Sequence, residues 1–126
     1  MLKYLSHPLT SAVLALLAYG SWAAYVNLAA GSGPAIRAFF GQGSYAFFAT
    51  LGIGLLGLRL HRHFGQTGPA LVIAAGTCLT ILCVSPLLIH TLIGTPNIIA
   101  SVWPGWIWGS TYVLVLLIHH HRQVVR

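Results

Sequence analysis

Histidine is the side chain here best placed to exchange a proton near neutral pH, because the chain has seven histidines and no aspartate or glutamate. The missing carboxylates exclude paired-carboxylate hydrolysis, a Ser-His-Asp triad and an oxygen cage for magnesium or calcium. Imidazole can still act as an acid or base, or bind zinc, copper or nickel. His61, His63, His119, His120 and His121 could meet where two segments end. Three consecutive histidines on a helix point about 100° apart, so at most two of them share a site. No metal and no cofactor is therefore assigned, and a basic rim facing anionic lipid accounts for them more simply. Cys78 and Cys83 fall on different faces of an apolar segment and are expected to stay free.

His90 stands apart from the others, in the neighbourhood of two prolines that do not start helices. Pro86 and Pro104 interrupt the third and fourth apolar segments, and each removes a backbone hydrogen bond and bends its helix. The carbonyls so freed are those of Leu82 and Ala100, and in lipid such groups must find partners. At 1.5 Å per residue both prolines lie about 10–12 Å from the turn joining the two segments. Helical spacing puts His90 one turn from Pro86, and Asn97, Ser101, Gly105, Trp108 and Tyr112 along one stripe. Segment 1 offers Asn27, and segment 2 offers Gln42 with Arg37 beyond it. The expected ligand site is an outward-facing polar pocket of His90, Asn97, Ser101, Asn27, Gln42 and Arg37. The alternative is that the prolines are tolerated kinks and the polar residues merely cap the turn in headgroup water.

The elements that must position these residues are membrane spans. Of the 126 residues 57% are hydrophobic and 5% charged, with a mean hydropathy of +0.85. A water-facing surface needs about 25% charged residues, so lipid must cover this one. Pro8, Pro34, Pro69 and Pro96 each open an apolar segment, as suits a residue with no N–H to satisfy. The segments run over about 8–29, 34–62, 69–93 and 96–121, each at or above the ~20 residues that cross a bilayer. The start of segment 2, with Arg37 and Gln42, is expected at headgroup level. Short connections force neighbours to be antiparallel. The expected fold is an all-α integral membrane protein: one domain over 1–126, a four-transmembrane-helix antiparallel bundle with helices 3 and 4 kinked at Pro86 and Pro104. Lys3 followed by Leu9 to Ala18 also resembles a signal peptide. The apolar run continues past the weak cleavage site at Ser21-Trp22-Ala23, so no cleavage is expected.

Small residues mark where membrane helices approach closely. Gly20 with Ala24, the run Gly52, Gly54 and Gly57, and the pair Gly105 and Gly109 are such surfaces, within the chain or toward a homo-oligomer or larger membrane complex. Gly52 to Gly57 also spell the dinucleotide-binding pattern, but no strand precedes them. Trp22, Tyr25 and Trp103 fit an interfacial aromatic belt. The basic residues stand singly at segment ends, which indicates orientation and the lipid bilayer as partner, with no nucleic acid.

In size and in its four short-looped spans the chain resembles the small multidrug resistance transporters. That family couples to protons through a carboxylate in the first helix. Segment 1 has none, so the resemblance implies the fold without that activity. The expected function is transporter-like or channel-like, or that of an accessory subunit of a membrane complex, with a neutral, anionic or amphiphilic ligand. An intramembrane lipid-modifying enzyme using His90 is the competing class, with a purely structural or assembly protein beside it; an enzyme is the less expected.

Lys3, Arg59, Arg62, Arg122 and Arg126 fall on one side of the membrane and Arg37 alone on the other. The positive-inside rule then puts both termini in the cytoplasm, with the chain in an inner (plasma) membrane. A cysteine placed at Ser32 or Thr95 should react with an impermeant thiol reagent added from the periplasm, and one at Gln66 or Gln123 should not. The reverse pattern would overturn this orientation.

Overall fold

The computed structural model describes residues 7–126; Lys3 and the start of the signal-like segment lie outside the described residues. Four helices follow one another: α1 (Pro8–Asn27), α2 (Ser32–His63), α3 (Gly68–Leu92) and α4 (Ile98–Val124). A single 3-10 turn, Leu28–Ala30, leads out of α1. There is no strand among the described residues. All four helices are long and apolar enough to cross a membrane.

Local chemistry sets where they begin and end. Pro8 opens α1, and the His7 ring nitrogen accepts from the Leu9 amide at 3.2 Å. Pro69 lies in the first turn of α3, where the Thr67 hydroxyl accepts from the Ala70 amide at 3.3 Å. Pro96 does not sit inside its helix as expected. The chain turns through it first, and Asn97 is the capping residue before Ile98. The backbone amide of Asn97 is held by the Asn27 side chain at 2.9 Å, which fixes the approach to α4. Two helices stop on the same device, a glycine at positive φ with a bond reaching back across the last turn. After α2, Gly65 takes φ 91° and the Gln66 amide bonds the His61 carbonyl at 2.9 Å. After α3, Gly94 takes φ 70° and the Thr95 amide bonds the His90 carbonyl at 3.0 Å.

Helices α2 and α4 each pack on the other three, whereas the backbones of α1 and α3 do not approach each other. Gln42 lies beside His90 and Gly57 beside Cys78, so residue number rises along α2 as it falls along α3. Helix α3 buries Ala70, Ala74, Cys78, Leu82, Pro86 and His90, one residue in every four. That narrow ridge is the fully buried part of its contact face, flanked by Leu71, Ala75 and Ile81, and large apolar residues such as Val72, Val84, Leu88 and Leu92 point outward. Both internal prolines lie within uninterrupted helix. The apolar core gathers Ile53, Ala74, Cys78, Leu82, Val113 and Leu117 from α2, α3 and α4.

The tightest backbone approach joins α1 to α2. A methyl group added at Gly20 would sit 2.9 Å from the Phe39 carbonyl oxygen, and one at Gly43 would sit 3.0 Å from that of Leu16. Gly54 and Gly57 serve α4 in the same way, lying under Tyr112 and Leu117. Gly52 meets nothing, so the Gly52 to Gly57 run is only partly contact surface.

Gly20→Ala and Gly43→Ala should each destabilise the bundle by about 1–3 kcal/mol, because backbone stands in the way. Gly76 has nothing within 4 Å, so Gly76→Ala should be neutral or stabilising by up to about 1 kcal/mol. Denaturant unfolding in detergent measures both. Equal effects at all three sites would contradict this packing. Thr95 is buried, so Pro96, which is exposed, is the better labelling site on that side.

Candidate functional site

The polar residues expected to form a pocket gather near the turn between α3 and α4, but they bond to one another rather than line an opening. In the first network the Thr95 hydroxyl meets His90 Nδ1 at 2.7 Å, and His90 Nε2 meets the Gln42 side-chain oxygen at 2.9 Å. An amide oxygen can only accept, so Nε2 carries a proton and donates it to Gln42. The neutral ring then accepts from Thr95 at Nδ1. This tautomer is assigned from the bonding pattern. His90 is completely buried and both of its nitrogens are engaged.

The second network ties α1 to α4. Asn27 Nδ2 donates to the Ala23 carbonyl at 2.7 Å and to the Ser101 hydroxyl at 2.8 Å. Its oxygen accepts from the Asn97 amide at 2.9 Å, and the Asn97 side chain donates to the Val26 carbonyl at 2.8 Å. Ser101 closes the circuit by donating to the Asn97 carbonyl at 2.6 Å. Arg37 joins neither network. It is exposed, and its Nε donates at 3.3 Å to the Ile93 carbonyl, at the C-terminal end of α3 where a positive charge suits the helix dipole.

Pro104 leaves the Ala100 carbonyl without its helical donor, and Trp22 supplies one. The indole Nε1 donates to that oxygen at 2.7 Å, while the ring meets Trp103 edge-on at 5.9 Å. Trp22, read from sequence as a belt residue, thus works as a donor between α1 and α4. The only signal for it was the demand of the Ala100 carbonyl, which did not say which residue would answer. Thr95 was missed as a partner of His90 because the link depends on the Gly94 turn.

The open space lies beyond these networks, toward the His61 end. A cavity of about 530 Å³ is framed by α1, α2 and α4, with Leu82 of α3. Of the six expected site residues only Gln42 reaches it. Its amide nitrogen makes no bond within the protein and faces Gly105, 3.3 Å from where a Cβ would stand. Tyr19, Thr50, Trp108 and Tyr112 continue the wall, and among the described residues no charged side chain lines it. Gly105 and Gly109, read as a helix-contact pair, lie against Gln42 and Leu82 and also line this space. Helices α1 and α4 hold each other through Trp22 to Asn27 and Asn97 to Trp103, and the cavity opens where those contacts end.

At the opposite end His61 is completely buried, and its Nε2 meets His121 Nδ1 at 3.2 Å, joining the ends of α2 and α4. The His120 ring packs edge-on against His61 at 5.4 Å. No group of three residues among those described is placed to hold a metal ion.

Trp22→Phe should cost about 1–3 kcal/mol, the penalty for a buried carbonyl left unpaired. In a Pro104→Ala background the helix regains its own donor, and the same change should then cost close to nothing. A double-mutant cycle in detergent reads the coupling directly; additive effects would mean that the Trp22 bond does not answer the proline. No family model, no curated protein and no solved structure matches the chain.

Proposed function

We propose that the protein is a transporter-like multi-pass membrane protein that takes an uncharged or amphiphilic ligand into the cavity between α1, α2 and α4. In this reading the helices run antiparallel with both termini in the cytoplasm of an inner-membrane protein. Helices α3 and α4 bend at Pro86 and Pro104, and the two polar networks form a cap on the outer side. One observation carries the proposal: a 530 Å³ cavity without a charged wall lies against a cap of mutually bonded polar side chains. A cation would find no carboxylate there. An anion would find no lysine or arginine among the described wall residues, and Arg37 lies outside, at the Ile93 carbonyl. Sites for small molecules combine an apolar lining with a few polar groups in this way.

The enzyme reading loses ground on the same geometry. An acid–base catalyst must reach its substrate, whereas His90 is buried behind Gln42 with both nitrogens committed. Its position suits a residue that holds Gln42 in place.

Native mass spectrometry of the protein released from lipid nanodiscs should show a bound neutral amphiphile. Thr50→Trp, which fills the cavity from a half-exposed position, should abolish that occupancy. His90→Ala should lower it while leaving membrane insertion unchanged. A wild-type protein that carries no ligand, or occupancy indifferent to Thr50→Trp, would overturn the proposal.

A further inference from the structure

The Gln42 amide offers a directional clue to what enters. Its oxygen is committed to His90 Nε2 at 2.9 Å, and His90 is held in that tautomer by Thr95 at 2.7 Å. What remains for the cavity is the amide nitrogen, with two N–H donors and no acceptor. Further along the wall the Thr50 hydroxyl has no partner. Thr80, Thr91 and Thr111 return theirs to the carbonyl one turn back at 2.8, 2.7 and 2.7 Å, and Thr50 does not. The Tyr112 hydroxyl, beside Gly54, also makes no bond within the protein. Donors that face a largely apolar cavity gain most from an acceptor that the occupant itself brings. Among the described residues the wall has no charge, and Trp108 and Tyr112 are more than half exposed on its rim, toward where lipid would lie. An acceptor reaching this site from the bilayer is therefore uncharged and lipid-soluble.

We infer that the ligand is an uncharged, lipid-soluble carbonyl compound, whose carbonyl oxygen accepts from Gln42 Nε2 while its apolar body lies along Tyr19 and Trp108. The inference rests on the cavity reading above and sharpens it. An ester of a neutral glycerolipid and a quinone ring share this chemistry, and either would fit. Thr95 and His90 are positioning residues. They never touch the ligand, and they decide that the cavity meets a donor rather than an acceptor. If His90 carried its proton on Nδ1, Gln42 could turn over and present its oxygen.

Two probes isolate the carbonyl. Dioctanoylglycerol and dioctylglycerol differ only in ester against ether linkages, and binding of each is followed by tryptophan fluorescence in detergent, with Trp108→Phe marking the signal from the cavity. The ester should bind saturably and about 5- to 100-fold more tightly, the range expected when a buried donor loses its acceptor. Decylubiquinone tests the other source; binding by it alone would still support the carbonyl assignment. Thr95→Val, which frees His90 to change tautomer, should shrink the ester-to-ether ratio toward about 1–3. A merely structural role for Thr95 would weaken both probes together. Equal binding of ester and ether, with no binding of the quinone, overturns the carbonyl assignment and leaves the cavity reading standing. If no probe gives a signal that depends on Trp108, both fall.

Discussion

Asn27 is the joint on which one half of the bundle depends. One buried side chain satisfies the Ala23 carbonyl of its own helix, the Ser101 hydroxyl and the Asn97 backbone amide. Between helices that lie in lipid there is no hydrophobic drive to associate, since tails are as apolar as leucine. Directional bonds and close backbone approach must do that work. Asn27 supplies the bonds for α1 against α4, and Gly20 with Gly43 supplies the approach for α1 against α2. Each relation fixes a helix at one level only, so α1 is held at its C-terminal half and left apart from α4 at the other.

That partial closure is what leaves the cavity open. A fully zipped α1–α4 pair would have no cavity, and an unpinned one would have no cap. Gly105 and Gly109 take part by omission, because side chains there would fill the space beneath Gln42 and beside Leu82. The same small residues that allow contact in α1 and α2 allow volume in α4. Whether a membrane glycine means contact or space is decided by what lies opposite, and no spacing rule encodes it.

This explains how far the sequence could be read. Four helices long and apolar enough to span followed from hydropathy and from Pro8 and Pro69, because both signals are local. The need of the Ala100 carbonyl for a donor was also legible, since Pro104 removes one by covalent structure. That Trp22 would answer it depends on how α1 lies across α4, a relation set by Asn27 and Ser101 some 74 positions apart in sequence. The grouping of His90 with Gln42 was anticipated, but not their mutual bond, which leaves Gln42 at the cavity wall and His90 behind it. Pro96 misled because proline fits both the first turn of a helix and the extended residue before its cap. The bond from Arg37 to the Ile93 carbonyl was not legible, because charge at headgroup level says nothing about which carbonyl will claim it.

A chain without carboxylates also changes what histidine can do. In many buried sites a carboxylate fixes the tautomer of an imidazole; here uncharged groups must do so, with Thr95 and Gln42 on either side of His90, while His61 Nε2 meets another imidazole, that of His121. The two arrangements differ in consequence. Between two imidazoles one proton can sit on either nitrogen, so the His61–His121 pair has no built-in direction. A hydroxyl and an amide oxygen are not interchangeable, because the amide oxygen cannot donate. The Thr95–His90–Gln42 chain therefore has a polarity, and it ends in an N–H group at the wall of the cavity. A polarity built this way needs no net charge, which suits a chain whose helices would bury an unpaired ion only at high cost.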